Sequence, residues 1–417
     1  MKKGKVYQMK YVIIGNSAAA VGCIEGIREK DKKGSITVVS NEIHHTYSRP
    51  LISYLLYGKT DEERMKYRPD SFYEDNGVTT MLGHTAVKIN PDKKTVELDD
   101  GTALSYDKLL VATGSKPFIP PMEGLDTVEK SFTFMTLDDA KALDAALTKN
   151  SRVLIVGAGL IGLKCAEGIF DKIGHLTVID LADRILPSIL DEKGSELVQK
   201  FLEDKGIEFR LGTSAASFDG NKAVLTNGDE IEFDVLVVAV GVRPNTELVS
   251  EAGGSVDRGI VTDKYSRTTI TDVYAAGDCA KSHDITTGTD RILALLPNAY
   301  MQGVAAGRHM TGADIPYENA MPMNAIGFFG YHIITAGNYD GEELVTCDGM
   351  NYKKLVVKDN CLKGFIMIGD VRRAGIYTKL IREKVPLETI DFELISRKPQ
   401  LMAFSREERA KQLGGKK

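Results

Sequence analysis

Apolar positions along the chain fall into short unbroken runs rather than long alternating stripes. YVII at 11–14, RVLIV at 152–156 and VLVV at 235–238 are continuous and rich in β-branched residues, the pattern of strands buried on both faces of a parallel sheet. Two of these runs open the same succession. Residues 11–42 predict a strand, a tight loop, a helix from Ala18 to Arg28, a second strand SITVVS and then an acid, Glu42. Residues 152–180 repeat it, with RVLIV, a glycine loop, a helix, LTVID and the acid Asp180. Further along, YKKLVVKDNCLKGFIMIGD (352–370) alternates around a KDN turn and predicts a hairpin. VRRAGIYTKLIREK (371–384) then has the spacing of an amphipathic helix.

The two loops carry the chemistry. Gly157, Gly159 and Gly162 complete G-x-G-x-x-G directly after a strand, and Asp180 follows 23 residues after Gly157. Such a loop brings backbone N–H groups and a helix N-terminus against a dinucleotide pyrophosphate, and the acid bonds a ribose. Leu181 follows Asp180 where an arginine could pair a 2′-phosphate, so NADH is favoured over NADPH. The first loop is a looser match: Gly15 makes the turn, while Ser17 and Ala20 stand for the other glycines and Glu42 follows 27 residues on. Two dinucleotides on separate domains could bring their rings together for hydride transfer.

Composition narrows the class. A chain of 417 residues, 43% hydrophobic and 27% charged, is a soluble globular protein of two or three domains. A net charge of −5 gives no reason to expect nucleic acid, and no apolar run approaches a membrane span. The basic start MKKGKVYQMK, followed by YVIIG and AVGC, mimics a leader, but its apolar part is too short and serves better as the first strand. Cys23, Cys165, Cys279, Cys347 and Cys361 are odd in number and contain no C-x-x-C, which points to a reducing cytoplasm. Seven histidines show no metal spacing, so no metal site is expected.

Three more segments complete a pattern: KLLVATGSKP (108–117), DVLVVAVGVRPNTEL (234–248) and TDVYAAGDCA (271–280). In this order with the two loops, the chain resembles the two-dinucleotide-fold FAD/NAD(P)H oxidoreductases over about residues 9–385. That superfamily includes rubredoxin and ferredoxin reductases, NADH oxidases and the flavin module of assimilatory nitrite reductase. The resemblance implies an α/β fold with two Rossmann-like dinucleotide-binding domains. An FAD domain (1–118 and 245–322) would be interrupted by an NADH domain (119–244), and a C-terminal α/β interface domain (323–417) would follow, which in relatives often supports a homodimer.

The resemblance also implies the cofactor positions. Gly15, Asn16, Ser17, Ala18, Ala19 and Ala20 would cradle FAD, Glu42 its ribose and Arg49, in RPLIS, its pyrophosphate; an arginine merely solvated at a helix start is the other reading. Val87, Ala112, Thr113, Gly114, Gly277 and Asp278 would line the same cofactor. Asn298 and Ala299 would begin a helix whose N-terminus meets the flavin. Gly157, Gly159, Leu160, Ile161, Gly162, Asp180 and Gly241 would hold NADH.

Disulfide reductases of this group need C-x-x-x-x-C after the first unit, and their oxidase and peroxidase relatives need a single cysteine there. Residues 43–57, IHHTYSRPLISYLLY, contain no sulfur. Cys23 and Cys165 read as packed helix residues; Cys279, beside Asp278, could have a depressed pKa. Relatives commonly place a lysine–glutamate pair beside the flavin. Here Tyr54 and Lys164 occupy those positions, so the cation has moved and the carboxylate is lost. Lys164 either reaches the flavin or nicotinamide with Tyr54 as neighbour, or snorkels while Tyr54 packs. Without a thiol, electrons would leave singly for a small iron or iron–sulfur protein; an NADH oxidase and an NADH-sensing flavoprotein are the alternatives. The tail 397–417 reads as a solvated end, with Met402–Phe404 as a second candidate for anchoring a partner.

Overall fold

The buried runs become the centres of two parallel sheets. In the computed structural model, which describes residues 8–404, Lys10–Ile14 lies between Lys108–Val111 and Ser35–Ser40. Val78–Leu82 and Val273–Ala275 form the two outer strands, all five parallel. Val273–Ala275 reaches this sheet only after the chain has built the second one. There Arg152–Val156 is flanked by His175–Asp180 and Val235–Val238, with Glu208–Leu211 and Ser131–Phe132 outermost, again all parallel. Ile13, Leu154, Ile155 and Val237 are fully buried, as expected for strands covered on both faces.

The crossings between the two units are a two-stranded antiparallel ribbon, Ser115–Pro117 with Val242–Pro244. Asn245 fastens its end. Its side-chain N–H donates to the Thr113 carbonyl at 2.8 Å, and the Thr113 hydroxyl donates back to the Asn245 carbonyl at 2.8 Å.

The remaining chain forms a five-stranded antiparallel sheet in the order Met323–Phe328, Tyr331–Gly337, Cys361–Ile368, Asn351–Lys358, Glu342–Asp348. The hairpin at 352–370 is present, and Asp359 and Asn360 both take left-handed φ (53° and 55°), the conformation that two-residue hairpin turns require. One sheet face shares a core with the second Rossmann unit: Phe328, Ile333, Tyr352 and Ile366 join Leu163, Leu197 and Val198. The other face packs on the helix Ala374–Arg382. That helix starts three residues later than the spacing predicts, because Arg373 takes a left-handed φ of 63° before it. The solvated reading of the tail fails for its first part. Ala403 and Phe404 are buried in the same cluster, although Met402 between them and Leu401 is 73% exposed. Phe404 therefore anchors the chain to itself; residues 405–417 lie outside the described part.

Candidate dinucleotide sites and their surroundings

Gly15, Ala112 and Gly277 follow the carboxyl ends of three adjacent parallel strands. This is the edge at which open α/β sheets bind ligands. Gly15 has φ 114°, and a Cβ there would lie 2.1 Å from the Ala112 carbonyl oxygen, so the two loops touch backbone to backbone. Two helices converge on this edge. Ala18–Lys30 and Leu296–Met310 run parallel, because a Cβ on Gly22 or Gly26 would strike Tyr300 or Val304, and one on Gly303 or Gly307 would strike Ala19 or Cys23. Their close approach puts both N-termini, each with unpaired N–H groups and positive partial charge, on the same side of the sheet.

Side chains at this edge are left with unmet bonding capacity. Asn298 is buried, and its amide N–H donates to the Ser282 hydroxyl and the Leu293 carbonyl, both at 3.0 Å, while its Oδ1 has no partner. No hydrogen bond reaches the half-buried Asp278 carboxylate among the described residues. Burial pushes its pKa up, and the Arg49 guanidinium pulls it partly back. An oriented acceptor and a desolvated acid at two helix N-termini fit a ligand carrying hydroxyls and phosphates. Gln302, which the sequence reading missed, holds the loop in place: its Oε1 accepts from the Gly277 N–H and its amide N–H donates to the Lys281 carbonyl, both at 2.9 Å. Its signal is present in the sequence, a polar residue four positions after Asn298, and so on the same face of that helix.

Arg49 and Glu42 come together. The guanidinium pairs with Glu42, and it donates to the Met135 carbonyl and the Tyr47 hydroxyl at 3.3 Å. Tyr47 in turn donates to Glu42 at 2.6 Å and accepts from the Leu137 N–H at 3.0 Å. Burial works against the guanidinium, but Tyr47, Glu42 and Asp278 leave its pKa raised. Arg49 is therefore not merely solvated. Asn16 is bonded rather than free: its Oδ1 accepts from the Tyr73 hydroxyl at 2.7 Å and its amide N–H donates to the His44 carbonyl at 3.2 Å. Val87 sits where the pairing of Ala86–Asn90 with Thr95–Leu98 slips register, and the bulge leaves it exposed.

The second loop is better preformed. Gly157 has φ 119°, with the Ala239 carbonyl oxygen 2.4 Å from a hypothetical Cβ, and a Cβ added at Gly162 would lie 2.0 Å from the Gly157 carbonyl oxygen. Gly159 faces open space, which is where a pyrophosphate needs room. The Asp180 carboxylate accepts from the Ala158 N–H at 2.6 Å and the Ala182 N–H at 2.8 Å, which fixes its orientation beside the loop. Leu181 is 72% exposed next to it and Ile43 70% exposed next to Glu42, so an apolar side chain stands uncovered beside each acid. The residues present fit a dinucleotide at each loop.

Lys164 and Tyr54 do meet, the ammonium lying 4.4 Å from the ring centroid. Lys164 has its own carboxylate partner, Glu167, one turn along the same helix. Glu167 is 3% exposed, pairs with Lys164, and accepts from the Phe329 N–H at 2.7 Å. Lys164 also donates to the Gly327 carbonyl at 3.1 Å. Cys279 does not have the depressed pKa that its place beside Asp278 left open. The thiol is fully buried, and loss of water raises its pKa. Cys23 and Cys165 are likewise sealed in the core. Among the described residues the one metal-like grouping is His84 with Asp99 and Asp100, on the surface.

Two glycine loops on separate parallel sheets, each followed by an acid, define a protein built to hold two dinucleotides. The chain belongs to the pyridine nucleotide-disulphide oxidoreductase family, whose model matches residues 9–303, and residues 322–385 match the rubredoxin NAD+ reductase C-terminal domain. It is 33% identical to the NADH-dependent phenylglyoxylate dehydrogenase subunit epsilon of Aromatoleum evansii, over 91% of this chain and 92% of that one. It is 32% identical to a nitrite reductase [NAD(P)H] of Bacillus subtilis over 90% of this chain, which spans only 47% of that protein. The reductase in a covalent putidaredoxin reductase–putidaredoxin complex superposes with a TM-score of 0.87 over 98% of this chain and 99% of that one; at 23% identity this likeness shows the fold.

Proposed function

We propose that the chain is an FAD-dependent NADH oxidoreductase that exchanges electrons with a small iron or iron–sulfur protein. The observation that carries this reading is the missing thiol. The segment 43–57 has no cysteine, and Cys23, Cys165 and Cys279 are buried with raised pKa values. When bound, the flavin takes a hydride from reduced nicotinamide and releases its electrons one at a time. With no sulfur to relay them, they leave for an external acceptor.

The chain's own residues bind and orient. Gly15, Ser17, Ala20, Ala112, Gly114, Gly277 and the N-termini of the two parallel helices would hold FAD, with Asp278 and Arg49 toward its polar chain. Gly157, Gly159, Gly162 and Gly241 would seat NADH, and Asp180 beside Leu181 favours it over NADPH. The interrupted division expected from the sequence, with the ribbon at 115–117 and 242–244 as the junction, is consistent with the two sheets. Lys164 with Tyr54 is assigned to tuning the ring site, through a cation held in place by Glu167.

Direction is open to the carrier's potential. One relative is the epsilon subunit of a dehydrogenase named as NADH-dependent, and the matched C-terminal domain is that of rubredoxin NAD+ reductase. No described helix is long and apolar enough to cross a membrane.

Reconstitution with FAD and anaerobic stopped-flow mixing with NADH tests the reading. Rapid bleaching of the flavin, followed by reoxidation by oxidised rubredoxin or a ferredoxin far faster than by air, is expected. Reoxidation by oxygen alone, on a sub-second scale, would replace the reading with an oxidase. A preference for NADPH would remove the role given to Asp180.

A further inference from the structure

The strand Glu342–Asp348 ends the C-terminal sheet. It pairs with Asn351–Lys358 on one side and with nothing among the described residues on the other. All seven residues are exposed, including Leu344 (38%) and Val345 (53%). Long exposed edges are normally blunted by charged side chains, lysine above all, by proline or by a bulge. This one has no proline and an unbroken register with the neighbouring strand, and its only charges are the acids Glu342, Glu343 and Asp348, which repel like edges but admit a basic one. At about 3.4 Å per residue it offers roughly 24 Å of unpaired backbone donors and acceptors.

Its charges select the occupant. Glu342, Leu344, Thr346 and Asp348 share one face, with the two acids at its ends, and neither acid has an ion-pair or hydrogen-bond partner among the described residues. Glu343, on the opposite face, is neutralised by Lys354, which also bridges to Asp191 at 3.2 Å. Antiparallel pairing with a second copy, centred on Val345, would set Glu342 of one strand against Asp348 of the other at both ends. Like charges directly opposite are destabilising, so a second copy is disfavoured.

We propose that Glu342–Asp348 is a docking edge for an extended segment of a partner protein that adds an antiparallel strand to this sheet. In that segment a basic residue at position p lies opposite Asp348 and a second at p+6 lies opposite Glu342. Apolar residues at p+3 and p+4 cover Val345 and Leu344. This surface is separate from both dinucleotide loops, and the inference stands whether or not the electron-transfer reading holds.

The test uses the full FAD-loaded chain and a labelled, end-blocked peptide Lys-Thr-Thr-Val-Val-Thr-Lys, with Glu-Thr-Thr-Val-Val-Thr-Glu as its control. Saturable binding of the lysine peptide by fluorescence anisotropy is expected, at least tenfold tighter than the control. The double variant Glu342→Lys with Asp348→Lys should invert that preference, while NADH-dependent reduction of ferricyanide stays unchanged. Equal binding of both peptides, or none at millimolar concentration, overturns the proposal. A concentration-dependent dimer in sedimentation that Val345→Pro abolishes overturns it in favour of a second copy. Binding seen only after removal of residues 405–417 overturns it in favour of the chain's own tail.

Discussion

Replacing Gly303 by alanine tests whether close helix packing builds the first dinucleotide site. Alanine in a helix interior is intrinsically better than glycine by about 1 kcal/mol. At Gly303 the added Cβ would lie 2.0 Å from the Ala19 carbonyl oxygen, with the Cys23 amide nitrogen at 3.0 Å. An ordinary carbon–oxygen contact is about 3.3 Å or more, so the helices must part by more than about 1 Å. Overpacking of this kind costs about 1–3 kcal/mol, enough to cancel the propensity gain or reverse it. The site depends on the same spacing, because both helix N-termini are aimed by it. Apoprotein can relax the strain by letting the helices separate, but FAD must draw them back. FAD affinity should therefore fall by about five- to 150-fold, the equivalent of 1–3 kcal/mol. Gly375 supplies the control: it is helical and exposed, and a Cβ there would meet nothing within 4 Å. Gly375→Ala should leave FAD affinity unchanged and raise the denaturation midpoint. Fluorescence titration with FAD and urea unfolding of both variants measure the effect. Wild-type FAD affinity in Gly303→Ala, together with a raised midpoint, would refute the reasoning.

Lys164→Gln should lower the flavin midpoint potential if the ammonium tunes the ring; an unchanged potential and hydride-transfer rate remove that role. The same change leaves Glu167 buried without its cation, at about 3–5 kcal/mol, and Lys164→Gln with Glu167→Gln should recover most of that stability but not the potential. Brief treatment of native protein with iodoacetamide should modify Cys347 and Cys361 only, and leave turnover intact, since the other three thiols are buried. Asp278 carries a pH signature in the apoprotein. Its folded pKa is raised, so the folded state keeps a proton that the unfolded state has released. Its contribution to stability is then lost as pH rises from the ordinary aspartate range through the raised value. Asp278→Asn should flatten that part of the stability profile; an unaltered profile would show that the carboxyl is not desolvated.

The two nucleotide loops were legible in the sequence because everything they need is local. A strand, a glycine that must take positive φ, a helix start and an acid lie within about thirty residues, as at 152–180. The continuous apolar runs likewise announced parallel strands, and KDN announced its turn. Arg49 was picked out by its segment, but its pairing with Glu42 and its bond to the Met135 carbonyl depend on how three separate stretches meet. Lys164 was legible as standing where relatives carry a glutamate, but its own ion-pair partner was not. In three dimensions the next helical turn supplies Glu167, since residues three apart share a face.

Cys279 was open in the sequence: its place beside Asp278 allowed activation, and only the packing around it reveals that no water reaches the sulfur. The unpaired edge at Glu342–Asp348 was equally invisible, because strand order is a non-local property. Local covalent pattern thus determined the two binding loops and the absence of a reactive thiol from the segment at 43–57. Tertiary structure decided which charges are paired, which are buried and which edge is left open, because desolvation and Coulomb energies depend on distance in space and not along the chain.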